Sequence, residues 1–459
     1  PTGQAIVEGD LRVRSETWDW FTAPGTFTDD YTYAHARLRL RLGYKDPKSF
    51  EGMVEVQDVQ MIGLPTRAIG PGAIGQMGPG AITFAHAGTQ SPNTIGLRQA
   101  YLKIGDIDRF QVQLGRMEFG NAAEVMPRDP SLAALKRSRL KDRLIGTFEF
   151  SPYSRTFDGL RLDGDTGDFH ITGFVARPTQ GGFEPDFGTE IDRVLISDLS
   201  LTAKNGTLLP DGEAQVFWIH YDDDRPVPQV DNRPPALRGM IGATGGNHID
   251  TVGLHFLHKL GENGDLLLWY AHQGGRWGAL TQRADAFSAE LGYQFKDVTA
   301  KPWVRAGYSY YSGDDNPADG VHGTFNPLLP TIRVYALTPF YTESNLRDAF
   351  AQVMLKPTDQ TSVRVDLHSL SLASSADLWY VGAGATRRTG AINGFAGRPS
   401  GGNSDLATLL DLGVEHQFDD NHKLALYFGH VFGGSVIRTT YPVNPDGNFF
   451  FVEYNLRLP

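Results

Sequence analysis

Between Ala36 and Tyr44 the chain reads ARLRLRLGY, with Arg37, Arg39 and Arg41 alternating with Leu38, Leu40 and Leu42. A helix turning about 100° per residue would scatter both sets around its cylinder. A strand places them on opposite faces, because its side chains point away from the sheet with period two. In a soluble sheet the leucines would meet a core and the arginines bulk water. In a membrane barrel the leucines would meet lipid and the arginines a wet interior.

The rest of the chain decides between the two. The alternation recurs in 18 segments, beginning with IVEGDLRVRSE, ARLRLRLGY and FEGMVEVQ, and ending with KLALYFGHVF and FFFVEYNLRL. Short polar turns such as GDID, GENG, PTDQT and DDNH alternate with long stretches of no period, at about 62–94, 121–155, 222–247, 312–345 and 373–405. Sorting of connection length by parity is what an up-and-down membrane barrel does, with short turns at the periplasmic rim and long loops outside. A soluble sandwich or propeller gives no reason for it, a β-helix would show a regular repeat that is absent, and loops near 30 residues are uncommon in compact domains. An even strand number leaves both chain ends on the short-turn side. The expectation is an all-β chain: one domain over 1–459, an 18-stranded antiparallel transmembrane barrel whose long loops are extracellular or folded into the lumen. The one helical pattern, PSLAALKRSRLKDRL from Pro130, falls inside a long loop. Trp18, Trp20, Phe21, Tyr31, Tyr33, Tyr308, Tyr310 and Tyr311 cluster at segment ends, where a girdle at the lipid headgroups would want them.

Composition narrows the function. Of 459 residues only 40% are apolar, and the longest apolar run, Leu266 to Ala271, falls far short of the about 18–20 residues a membrane helix needs. A barrel strand needs only about 9–11 residues, half of which are free to be polar. The absence of cysteine removes disulfides, thiolate metal sites and cysteine catalysis. A net charge of −11 argues against nucleic acid as a partner. Beginning at Pro1, the chain reads as an exported protein with its leader removed. No nucleophile-elbow, zinc-protease or phosphate-loop motif occurs, so no enzyme is expected. His255 and His258 share a segment at odd spacing and point to opposite faces, and a Ser371–His368 set is assembled only by free choice.

LRQAYLKIGDIDRFQVQLGRMEF, RTFDGLRL, SGDDNPADGVHGTFNPLLPT and FVEYNLRL together resemble stretches of the alginate-export family of outer-membrane channels. LRQAYLKIGDIDRFQVQLGRMEF is similar to that family's Arg-x-x-Tyr/Trp strand followed by a Gly-Arg-Gln strand. RTFDGLRL resembles its Arg-Ser-Phe-Asp-Gly-Val-Arg segment, SGDDNPADGVHGTFNPLLPT its Ser-Gly-Asp…Pro-Leu-Phe-Pro loop, and FVEYNLRL its closing strand. Departures are Met117 after Gly-Arg, and Leu458 and Pro459 where a terminal aromatic would stand. The resemblance implies a monomeric barrel in the Gram-negative outer membrane that passes an acidic polysaccharide through an arginine-rich constriction. Its partners would be outer-membrane lipid and lipopolysaccharide, the anionic solute, and periplasmic secretion components.

If the apolar faces meet lipid, the lumen receives Arg12, Arg14, Arg37, Arg39, Arg41, Arg161, Arg305, Arg364 and Arg457, with Lys103 and Lys423. The resemblance adds Arg116 and Arg155 as anion contacts and Asp158 as the acid that orients one of them. Guanidiniums suit a carboxylated solute, because their planar fork matches a carboxylate and stays charged. A nearly equal set of acids shares that face, among them Glu8, Asp10, Glu16, Glu55, Asp163, Glu290, Asp366, Asp411 and Glu453. Bracing of the wall by charge ladders is therefore the alternative role for any single arginine. Phase breaks near Arg98, Arg116 and Arg347 predict bulges or strand ends. No cofactor is expected, apart from loop-bound calcium at Asp222 and Asp223 or at Asp314 and Asp315, although neither cluster has the spacing of a helix–loop–helix calcium site. Three functions follow: an anion or polysaccharide channel, an uptake porin for small solutes, or a closed structural barrel whose loops bind partners.

Overall fold

The computed structural model describes residues 3–46, 48–106, 109–242, 244–331, 336–382, 385–389 and 395–458. Pro459, which departs from the family's terminal aromatic, lies outside them. In chain order the strands are β1 (Gln4–Asp19), β2 (Asp30–Asp46), β3 (Phe50–Ile62), β4 (Asn93–Asp106), β5 (Phe110–Met117), β6 (Phe157–Asp165), β7 (Phe169–Pro178), β8 (Val194–Ala203), β9 (Gly212–Asp223), β10 (Asn247–Leu260), β11 (Gly264–Trp277), β12 (Leu280–Gln294), β13 (Trp303–Tyr311), β14 (Val321–His322), β15 (Leu346–Leu355), β16 (Thr361–Ser371), β17 (Trp379–Val381), β18 (Ala396–Arg398), β19 (Asp405–Gln417), β20 (His422–Gly433) and β21 (Gly447–Leu458). Helices α1 (Pro79–Ala87), α2 (Pro130–Arg139), α3 (Pro235–Ile241) and α4 (Ser435–Thr440) all lie in connections.

Each of the 18 alternating segments is a strand. Leaving aside β14, β17 and β18, every strand pairs antiparallel with its neighbour in the chain, and β1 closes the ring by pairing both β2 and β21. Closure leaves no sheet edge, as hydrocarbon demands of a backbone whose N–H and C=O groups have no water to bond. The three remaining strands are short loop elements: β14 lies parallel to the start of β12, and β17 and β18 form a small hairpin of their own.

The period of two sorts side chains as expected. Leu40 and Leu42 are 50% and 61% exposed on the outer face, whereas Arg37 and Arg39 are 6% and 3% exposed on the inner one. Val13, Val54, Leu102, Leu114, Leu199, Val216, Leu254, Leu268, Leu291, Leu367, Leu412 and Phe428 continue the apolar exterior around the ring. At Arg98 the register between β3 and β4 slips by one residue, because Glu55 pairs Gln99 and Val56 pairs Leu97. That bulge is the phase break visible in the sequence, and it turns Arg98 into the lumen.

Two expectations need correction. Connection length does not alternate without exception, because β11 and β12 meet through Gly278 and Ala279 alone. The stretch from Gly274 to Arg283 keeps pairing, and Gly278, at φ 57°, supplies the positive-φ first position a two-residue hairpin turn favours. The segment-end aromatics are mostly not a girdle against lipid. Trp18, Trp20, Phe21, Tyr33 and Tyr311 are buried inside the extracellular mouth, where Phe21 meets Phe340, Trp379 and Tyr441. Trp18, Tyr33 and Tyr311 continue the lumen-facing parity of their strands upward, where loops fold over them. Only Tyr308 and Tyr310 share the outward parity of β13.

A positive charge on the outer face should be costly. Leu254, at the middle of β10 with outward Val216 and Tyr270 as its neighbours, is predicted to lower stability by about 2–4 kcal/mol when changed to arginine. Denaturant titration of the barrel refolded in lipid vesicles measures this; a variant as stable as the parent would place Leu254 away from lipid.

Candidate functional site

The lumen is occupied by its own loops. The connection 118–156 between β5 and β6 turns inward and carries α2, whose start is set by Asp129 accepting from the Leu132 amide at 2.9 Å and by Pro130 at its first turn. Inside the barrel an apolar face of α2, Leu132 and Leu135, is buried. Its basic residues reach wall acids: Lys136 lies 2.5 Å from Glu213, and Arg139 lies 3.1 Å from Glu290. The connection 312–345 descends beside it, with the Leu329 amide bonded to the Leu144 carbonyl at 2.9 Å and Phe325, Leu328 and Leu329 buried. The glycine-rich connection 63–92 packs over the inner rim, where Tyr31 donates to the Met77 carbonyl at 2.8 Å.

Beneath this plug stands the arginine wall of β1 and β2. Residues one period apart on each strand, and directly opposite across the pair, bring Arg12, Arg14, Arg37, Arg39 and Arg41 onto one inner surface. Arg98 joins them from the β4 bulge. Each finds an acid or a carbonyl. Arg37 lies 3.1 Å from Asp10, and Arg41 3.2 Å from Asp10 with Glu55 also in contact. Arg14 donates to Glu453 at 2.7 Å and to the Phe150 carbonyl at 2.9 Å while stacking 4.0 Å over the Phe150 ring. Arg12 donates to the Glu149 carbonyl at 2.7 Å.

The carboxylate of Glu149 is the centre of the arrangement. It accepts from Arg37 at 3.0 Å and from Arg39 at 3.0 and 3.1 Å, and contacts Arg98 as well. Burial alone would raise its pKa, but Arg39, Arg98 and Arg37 together hold it well below the usual carboxylate range. Ser154, from the same loop, accepts from Arg39 at 2.7 Å and from Arg98 at 3.1 Å. Sequence reasoning missed Glu149 and Ser154 because they lie in an aperiodic connection, where no parity predicts direction.

The other sequence candidates are spread around the molecule. Arg161 forms a two-bond pair with Asp163 at 2.7 and 2.9 Å on the β6 inner face. Arg305 contacts Asp265 and lies 3.4 Å from Glu290, and Arg364 contacts Asp366. Arg457 is exposed at the periplasmic mouth, where with Arg37, Arg39, Arg41, Lys423, Glu8 and Asp10 it lines a cavity of about 590 Å³. Arg155 is buried in the plug beside Thr147, and burial lowers its pKa to about 10. Arg116 and Asp158 are paired at 2.7 and 2.6 Å but share the outward parity of Leu114 and Leu160. The structure therefore places them on the outer face, under the connection 179–193, and not in the bore.

The calcium candidates are not brought together as ligand sets. Asp223 is taken by Arg225 at 2.8 Å and Tyr221 at 3.0 Å, and Asp222 by His248 at 2.6 Å. Asp314 caps its own turn by accepting from the Asn316 amide at 3.0 Å, and Asp315 is exposed.

Two loop acids respond to their surroundings in the sense opposite to Glu149. Burial, reinforced by Glu118, Glu149 and Glu124 against an opposing Lys141, raises Asp142 to about 7. Burial likewise raises Glu343 to about 7. Both lie in the two connections that fill the bore.

Solved structures of low sequence identity share the fold. Acinetobacter baumannii OccAB2 superposes with a TM-score of 0.56 at 11% identity, covering 99% of this chain and 98% of that one. Pseudomonas aeruginosa OpdQ gives 0.55 at 10%, covering 99% and 98%. The outer membrane protein opdK from Pseudomonas aeruginosa gives 0.53 at 9%, covering 99% of each chain. No curated protein matches the sequence. The family model described as alginate export matches residues 4–450, nearly the whole chain. This closed 18-stranded barrel, with its charged lumen and apolar exterior, is an outer-membrane channel of Gram-negative cells and belongs to the alginate-export family.

Proposed function

We propose that the channel passes carboxylated solutes, of which a uronate polymer is the class the family's description suggests, along the arginine wall of β1 and β2. The observation that carries this reading is the seat of Glu149. A carboxylate on a loop sits among Arg37, Arg39 and Arg98, in the position a solute carboxylate would take once the loop moves aside. Guanidiniums spaced along two neighbouring strands offer repeated weak sites, which conduction needs so that the solute both enters and leaves. The mouth cavity with Arg41, Lys423 and Arg457 extends the path toward the periplasm.

Uptake of small solutes is the second reading. In its favour, the arginines face acids, Asp10, Glu55, Glu149 and Glu453, across a bore narrowed by loops. Proteoliposomes loaded with uronate chains of graded length separate the two: release of long chains supports the polymer channel, and passage of short ones alone supports uptake.

Glu149→Ala is expected to take from Arg37, Arg39 and Arg98 the carboxylate they share, leaving Asp10 on Arg37 and Glu55 on Arg98, and to shift the reversal potential in a salt gradient toward anion selectivity. Uronate oligomers should then interrupt the current at lower concentration than in the parent, and neutral oligosaccharides should have no effect. Unchanged selectivity in this variant, together with unchanged selectivity in Arg39→Glu, would remove the arginine wall from the path.

The bore should also open as pH rises. A carboxyl whose pKa is raised on docking favours the docked loop fully below its free value of about 4 and loses that contribution as pH climbs through its docked value. For Asp142 and Glu343 the window therefore runs from about 4 to about 7, at up to about 1.4 kcal/mol per pH unit for each group. Single-channel conductance is predicted to increase between pH 5 and 8, and to do so less in Asp142→Asn and Glu343→Gln. A flat profile in the parent would show that these acids do not control the loops.

A further inference from the structure

Across β16 and β19, Asp366 stands directly opposite Asp411. Both point into the lumen and are 1% and 3% exposed. Two like charges at directly opposed sheet positions destabilise the pair, and burial makes the repulsion worse. Such a pair is relieved by a cation between its members or by a proton on one of them. One strand period above Asp366 is His368, wholly buried on the same face. One ligand atom from each of the three lies within 4.8 Å of the others.

The hydrogen bonding around them is one-sided. Asp366 has one oxygen against Arg364 and none on Oδ1. Asp411 has Oδ1 against Thr338 and Tyr427 and nothing on Oδ2. The His368 Nδ1 lies 3.0 Å from both carboxylate oxygens of Asp348 on β15, and its Nε2 has no partner. Each residue is thus oriented from behind and keeps one buried donor atom unused. A carboxylate holding the far nitrogen of an imidazole is the outer-shell arrangement that fixes the tautomer and orientation of a metal-binding histidine.

We propose that Asp366, His368 and Asp411 bind a divalent transition metal of the zinc class in the barrel wall. One nitrogen and two oxygen donors with no thiolate suit zinc or its first-row neighbours. They fall short of the about six to eight oxygens calcium takes. Donors on one tetrahedral zinc sit about 3.3 Å apart, from bond lengths of about 2.0–2.1 Å, so the three side chains close inward slightly on the ion. Asp366 and Asp411 also line a cavity of about 550 Å³ that reaches the turn at Lys356 between β15 and β16. The ion has its entry from that cavity, and a water from it completes the coordination. Bound metal ties β16 to β19 and replaces an acidic patch of lumen wall with a neutral or positive one.

The test uses the folded barrel in detergent, stripped with chelator and titrated with zinc chloride by calorimetry, with bound metal counted by elemental analysis. Cobalt chloride serves as a second probe through its visible absorption. Heat-modified gel mobility establishes that each variant is folded. One equivalent of zinc is expected, together with cobalt bands of low-coordinate nitrogen–oxygen type. Asp366→Asn, Asp411→Asn and His368→Gln should each abolish stoichiometric binding, and Asp348→Asn should weaken it about 10–100-fold. The proposal is overturned if the folded parent holds no more zinc than an unrelated barrel, or if the folded Asp366→Asn/Asp411→Asn double variant binds as the parent does. A parent that takes no metal, with a double variant more heat-stable than the parent, would mean that the two carboxyls share a proton instead.

Discussion

Hydrocarbon has no hydrogen bonds to offer, and this constraint shapes everything else in the chain. A sheet in that medium must close, so β1 pairs with β21 and the ring has no edge to expose. Closure splits every strand into two populations with different solvents. Leucine, valine and phenylalanine face outward because only they are cheap against lipid, and the charged half of the pattern has nowhere to go but the bore. The charged lumen therefore follows from the same hydrogen-bond requirement that closes the sheet.

Once inside, those charges set their own conditions. Guanidiniums removed from bulk water need partners, since an unpaired buried charge costs several kcal/mol. The wall supplies some, through Asp10, Glu16, Glu55 and Glu453. The rest come from a loop, and Glu149 draws Arg37, Arg39 and Arg98 together. The plug is thereby a consequence of the arginine wall: the loop between β5 and β6 is held in the bore by charges that the period of two put there. Apolar contact does the remaining work, through Leu132, Leu135, Phe325 and Leu329.

The wall was legible in the sequence; that long loops enter the lumen stood as one of two expectations, but which of their residues meet the wall was not legible. Alternation predicts direction wherever a strand has one wet face and one greasy face, and it placed Arg37, Arg39, Asp366 and Asp411 on the inside. It even marked Arg98, whose break in phase is a real bulge. Where alternation stops, direction is set by tertiary contacts between segments far apart in the chain, and Glu149, Ser154 and Arg139 carry no local mark of where they point. The aromatic cluster shows a subtler limit. Trp18 and Tyr33 keep the inward parity of their strands, but whether a ring at a strand end meets headgroups or loops depends on what the loops do. Arg116 and Asp158 show the limit of motif likeness: the pair is present as the family pattern suggests, yet strand parity puts it on the outer face.

If solutes follow the arginine wall as proposed, the tethered carboxylate at Glu149 has a consequence for the kind of molecule able to pass. A group attached to the protein competes at an effective concentration of the order of millimolar, so a lone monovalent acid at lower concentration seldom displaces it. A chain carrying many acidic groups is different, because once one has gained a foothold the next is tethered too, and the contest is between two local concentrations. On the proposed route, discrimination would then rest on valency as well as charge: short acids would meet a threshold, and polyanions would carry their own means of crossing it.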